Sequence, residues 1–134
     1  MSTLSTRPSA ANTWGRVTAQ RLQTTFINGD APVVLDATYA WDNEGRITSR
    51  TYPDQSNLTY GYDIMGRLNA INGVSWQGGS LSVSAAFGPS GEMTDLYNGS
   101  YHETRTYNTL LQLTRQTVPG VMDLGCTYTH RYRI

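Results

Sequence analysis

Lysine is missing altogether. All ten cations of this 134-residue chain are Arg, set against ten Asp and Glu, so the formal net charge is zero. A neutral chain has no basic field with which to hold a nucleic-acid backbone or an anionic membrane surface, and both partner classes are excluded. Cysteine occurs once, at Cys126, which rules out an internal disulfide framework. With only His102 and His130 beside it there is no spaced Cys/His set for zinc, so no metal or other cofactor is expected. Long apolar runs are absent too. Met1 to Asn12 is rich in Ser, Thr and Ala and lacks an apolar stretch of about seven or more residues, so it reads as neither a secretory signal nor a membrane anchor. That segment, 1–12, is expected to be disordered, which leaves 13–134 as a single domain.

What the chain has in quantity is turn chemistry. No window of helical length keeps apolar positions at helical spacing, whereas short Thr-, Tyr-, Val- and Leu-containing runs recur between Gly, Pro, Asn and Asp clusters. Such runs are strands. Asn-Gly occurs three times, at Asn28-Gly29, Asn72-Gly73 and Asn98-Gly99, and this dipeptide favours the positive backbone angles of a tight hairpin turn. Further breaks fall at Pro53-Asp54, Gly78-Gly79, Gly88-Pro89 and Pro119-Gly120. The expected class is all-β, an antiparallel array of about ten strands joined by hairpins.

Internal repetition is the strongest signal. Tyr39-Ala40-Trp41-Asp42-Asn43-Glu44-Gly45-Arg46-Ile47 aligns with Tyr60-Gly61-Tyr62-Asp63-Ile64-Met65-Gly66-Arg67-Leu68, each pair 21 positions apart. Asp at the first position and Gly at the fourth suit a type I turn whose carboxylate accepts backbone N–H groups, so Asp42, Gly45, Asp63 and Gly66 are expected to close hairpins. Weaker copies follow at Phe87-Gly88-Pro89-Ser90-Gly91-Glu92, where Gly88 replaces the Asp and Glu92 the Arg, and at Tyr107-Asn108 with Leu111-Gln112-Leu113.

At these residues the sequence resembles the YD repeats of Rhs (rearrangement hotspot) proteins, a family that includes bacterial polymorphic toxins, insecticidal toxin-complex subunits and animal teneurins. Tyr60-Gly61-Tyr62-Asp63-Ile64-Met65-Gly66-Arg67-Leu68 carries the likeness most closely, and Glu103-Thr104-Arg105-Thr106-Tyr107-Asn108 extends it. The resemblance implies β-hairpins stacked side by side into a strip that coils into a hollow shell around a toxic or folded cargo, a shell that about five repeats cannot close alone. It also implies a bacterial parent that is cytoplasmic before secretion. The chain holds about five repeats and lacks the Asp- and Pro-containing stretch that the family uses for self-cleavage. It is therefore expected to be a fragment of a shell, non-enzymatic and structural.

Carboxylates are the only catalytic equipment worth weighing: Asp42, Glu44, Asp54, Asp63, Glu92, Asp95 and Glu103. Turn capping accounts for Asp42 and Asp63, and stacked hairpins would hold equivalent turns on the order of 9.5 Å apart, too far for a retaining glycosidase pair. The alternative reading is a small hydrolase of glycosidic or ester bonds, with Glu92 and Glu103 as the acid/base pair and Asp42 and Asp63 in reserve. Ser90, in Gly88-Pro89-Ser90-Gly91, is in a turn and not a nucleophile elbow. His102, His130 and Cys126 fall in strand-like text, where structural roles are expected. A second alternative is a carbohydrate-binding module that uses Trp14, Trp76, Tyr60 and Tyr62 as stacking platforms. Finally, a strip cut from a longer shell leaves unpaired edges, so Cys126 to Ile134 is expected to pair with another copy in a homo-oligomer, with Tyr128 or Tyr132 at the interface.

Overall fold

The computed structural model describes residues 3–25, 30–74 and 78–129, and the side chains of 3–9 and 25 are left aside. Among the described residues there is no helix, and eleven strands follow one another: β1 (Thr3–Ala11), β2 (Val17–Thr25), β3 (Val33–Trp41), β4 (Ile47–Thr51), β5 (Asn57–Tyr62), β6 (Leu68–Val74), β7 (Ser80–Phe87), β8 (Met93–Asn98), β9 (Tyr101–Tyr107), β10 (Leu113–Val118) and β11 (Met122–Gly125). Their order in the sheet is their order in the chain, β1 through β11, with β1 and β11 outermost. The class read from the sequence is the class observed, an all-β array of antiparallel hairpins.

Two compact units divide the chain, Met1–Gly61 with Ile71–Ser80, and Tyr62–Ala70 with Leu81–Ile134. The single domain expected over 13–134 spans parts of both units. The disorder expected over 1–12 is not what the described backbone has there. Thr3–Ala11 is β1, paired with β2 from Thr3↔Thr25 to Ala11↔Val17. A polar Ser/Thr-rich segment that cannot fill a core can still satisfy its backbone groups against a neighbouring strand, and it does so here.

Pairing fixes which side chains share a face. In the first unit, Gln20 lies opposite Ala37, Leu22 opposite Leu35, Tyr39 opposite Arg50, and Arg50 opposite Leu58, which gives one aromatic and aliphatic face. The reverse face carries Arg21 opposite Asp36 and Thr38 opposite Thr51. In the second unit Ala85, Leu96, Glu103 and Tyr107 fall on one face, with Ala86, Asp95, Tyr97, His102 and Thr104 on the other.

No described residue is fully buried on either face. The accessible surface is 10061 Å² for a chain of 14.8 kDa, whereas a compact protein of that mass exposes roughly 7,000 Å². Neither unit has a fully buried core side chain among its described residues.

Two Asn-Gly signals divide. Asn98-Gly99 turns the chain between β8 and β9, with Gly99 at φ +59. Asn72-Gly73 does not turn. Both residues lie within β6, and a side chain on Gly73 would overlap the carbonyl of Asn57 and the Leu58 side chain. That glycine serves the close approach of β5, which the dipeptide alone does not reveal. Asn28-Gly29 lies outside the described residues.

Candidate functional site

One motif recurs at the hairpin ends of both units. In Asp42–Arg46 the amide of Asp42 donates to the carbonyl of Arg46 (3.0 Å) and the amide of Gly45 to the carbonyl of Asp42 (3.2 Å), a type I turn completed by a left-handed residue. Asp42 Oδ1 accepts the N–H groups of Glu44 (3.0 Å) and Arg46 (2.8 Å), and Oδ2 accepts from Arg46 Nε (2.7 Å). Asp63–Arg67 repeats this bond for bond, with Asp63 Oδ1 taking Met65 and Arg67 N–H at 2.9 Å and Oδ2 taking Arg67 Nε at 2.7 Å. Gly45 and Gly66 sit at φ +87 and +78.

The same frame survives changes of residue type. Asn12 Oδ1 caps Trp14 and Arg16, and Asn108 Oδ1 caps Leu110 and Gln112 while its Nδ2 donates to Gln112 Oε1 (2.8 Å). Leu111 there holds the left-handed position at φ +59, and Gln55 does so in the turn from Tyr52 to Ser56 at φ +67. In Gly88–Glu92 the polarity is inverted. The backbone bonds are retained, but a side chain on Gly88 would overlap the Glu92 carboxylate, which fills the space that Asp42 and Asp63 occupy in their own turns.

Arginines then tie one turn to the next within each unit. Arg16 Nη1 donates to the carbonyl of Asp42 (3.2 Å), and Arg67 Nη1 to the carbonyl of Gly88 (3.1 Å), with the Arg67 guanidinium 4.8 Å over the Phe87 ring. These bonds account for the electrostatics of the turn acids. The backbone amide of Arg46 holds the Asp42 carboxyl below the usual carboxylate range; at Asp63, desolvation opposes the shift and the Arg67 bonds outweigh it.

The residues singled out as an acid/base pair lie on different elements. Glu92 belongs to its turn, its Oε2 buried without a partner, while Glu103 lies on β9 with its Oε1 2.5 Å from Arg105 Nε. Asp42 and Asp63 are occupied in separate turns. Among the described residues no group of three His, Cys, Asp or Glu could hold a metal.

Of the stacking candidates, Trp14 is 77% exposed at a turn tip, Tyr60 and Tyr62 are half-buried on β5, and Trp76 lies outside the described residues, as do His130 and Tyr132. Cys126 is exposed, and its amide donates to the carbonyl of Thr114 (2.9 Å) while Tyr128 Oη donates to that of Leu113 (2.9 Å). The start of the last segment thus runs along β10 of its own chain.

Two features escaped the sequence reading. His102 Nε2 shares a 2.8 Å hydrogen bond with Asp95 Oδ1, and its ring stacks on Tyr97 at 4.0 Å. Cross-strand pairing of Asp95 with Thr104 and Tyr97 with His102 creates this cluster; the bond from His102, then one from Thr94, holds the Asp95 carboxyl low. The second is a groove of about 310 Å³ lined by Val17, Gln20, Tyr39, Trp41 and Ile47. A register shift between Ala40 and Trp41 sets Trp41 opposite Ile47, and Trp41 Nε1 donates to the carbonyl of Val17 (2.9 Å). Only a spacing measured across three strands could have exposed it.

Comparison with known proteins gives the same repeat. Residues 41–74 match the family model described as RHS Repeat. No curated protein sequence matches the chain. Among solved structures the fold is similar to the crystal structure of TcdB2-TccC3-Cdc42, with a TM-score of 0.71 and 17% identity over 92% of this chain. It is also similar to TcdB2-TccC3 without the hypervariable C-terminal region, with a TM-score of 0.70 and 16% identity. This chain spans 7% of the length of either.

Proposed function

We propose that this chain, which carries an RHS repeat and the YD-repeat strip fold of the Rhs family, is a non-catalytic wall segment of an Rhs-type shell. The observation that carries the reading is a sheet of consecutive hairpins without a single fully buried side chain among the described residues. Its described turn side chains join turn to turn, and among the described residues no group of three His, Cys, Asp or Glu converges as a metal site would require, which supports the reading. Its open faces and end strands are surfaces to be covered by further repeats or by an enclosed polypeptide.

A panel of chromogenic glycosides and esters tests it. No turnover is expected; turnover that disappears in Glu92→Gln or Glu103→Gln would overturn the reading. In isolation the chain meets its need for an edge partner by self-association through its last segment, Cys126 to Ile134, with Tyr128 or Tyr132 at the interface. Light scattering at several micromolar, beside a chain truncated after Gly125, should show an oligomer for the full chain. A monodisperse monomer in both samples would refute that part.

A further inference from the structure

Among the arginines with described side chains, Arg21, Arg46, Arg67, Arg105 and Arg115 each hold a carboxylate, and Arg16 holds a backbone carbonyl. Arg50 holds neither. Its guanidinium sits 4.4 Å from the ring centre of Tyr52 and 5.5 Å from that of Tyr39, and its Nε is buried without a hydrogen-bond partner. Two aromatic faces restrain a guanidinium in one plane but accept none of its N–H groups, so the charge is positioned and unneutralised. Tyr39 also forms a wall of the groove with Trp41, Val17 and Ile47. An anchor for an anion and a pocket for an apolar group therefore share one side chain.

Their spacing has a match. Tyr39 and Trp41 are two residues apart on β3, and side chains two apart on any extended segment project from the same face about 6.8 Å from each other. We propose that Arg50 and the Tyr39–Trp41 groove form a peptide-binding site for an extended acidic segment. The carboxylate of an Asp or Glu pairs with the terminal nitrogens of Arg50, and an aliphatic or aromatic side chain two positions away enters the groove. Charge complementarity selects this occupant, since the groove is lined by apolar and aromatic side chains with Gln20, and the cation stacked on its Tyr39 wall, Arg50, holds no carboxylate. The site is independent of whether the chain is part of a shell.

Calorimetric titration of the full chain with the capped pentapeptide acetyl-Gly-Glu-Thr-Leu-Gly-amide tests the assignment, beside twins carrying Gln for Glu or Ser for Leu, and acetate alone. The parent peptide should bind saturably, and each twin at least about tenfold more weakly, the scale of one lost charge-assisted bond or one buried aliphatic side chain. Arg50→Gln should reproduce the Gln-twin loss; should that variant fail to fold, the comparison of peptides on the unaltered chain decides. Equal affinity for the parent and Gln peptides, absence of binding at millimolar peptide, or acetate competing as well as the peptide would overturn the proposal.

Discussion

The inverted turn at Gly88–Glu92 offers a direct measure of what the repeated motif contributes. In Asp63–Arg67 a carboxylate takes two backbone N–H groups and the following guanidinium; at Gly88 there is no carboxylate to do so, and Glu92 fills the space with one oxygen buried and unpartnered. Replacing both residues, Gly88→Asp with Glu92→Arg, rebuilds the Asp-x-x-Gly-Arg pattern. The backbone permits it, because Gly88 is not among the left-handed glycines. So does the neighbourhood: Arg67 donates to the carbonyl of Gly88 as Arg16 does to that of Asp42, whose turn already carries the Asp and Arg pair. Two new side-chain to backbone bonds at about 1 kcal/mol each, and a small gain from losing a flexible glycine, give an expected stabilisation of roughly 2 kcal/mol. Gly88→Asp alone must push the Glu92 carboxylate aside and leave two like charges in contact, which offsets most of that gain. Glu92→Arg alone gains no partner. A double-mutant cycle by urea unfolding should therefore show a favourable coupling of about 1–2 kcal/mol. Additive single effects, or a double variant less stable than the parent, would refute the inference that the five-residue turn is one interchangeable unit.

Three further outcomes follow from the same geometry. Gly66→Val forces a β-branched residue to φ +78 and should destabilise by about 1 kcal/mol or more, read as a lowered unfolding midpoint. Asp42 and Asp63 have folded-state pKa values below their unfolded ones, so their contribution is complete above about pH 4 and is lost as pH falls through the depressed folded values; circular dichroism on acid titration should show an unfolding limb only there, and a limb between pH 5 and 7 would contradict it. Tyr107 Oη donates to the carbonyl of Met93 at 2.8 Å, so Tyr107→Phe should cost about 1 kcal/mol in the same unfolding assay, and no change would assign that carbonyl another partner.

How far the sequence could be read depended on the range of the cause. Asp42-x-x-Gly45 and Asp63-x-x-Gly66 were legible because a type I turn is decided by four neighbouring residues. Leu111 and Gln55 take the left-handed position with no residue-type signal, imposed by the bonds of Asn108 and of Tyr52 around them. Gly73 misled because its reason lies on β5, at Asn57, and not in its own dipeptide. Thr3–Ala11 misled because its composition is that of a solvated segment, whereas its partner is β2. The groove at Trp41 and the unpaired cation at Arg50 were out of reach, since both depend on the register of three adjacent strands and on one bulge.

Because sheet order equals chain order, every strand finds its partner already made when it leaves the ribosome. Synthesis at about 5–20 residues per second delivers one repeat of 21 residues in roughly 1–4 s, while a hairpin closes in about 1–10 μs. Each hairpin can therefore zip onto the last and wait with its newest edge open, and no long loop must be closed at any stage. A sheet built this way grows like a zip fastener, one hairpin at a time.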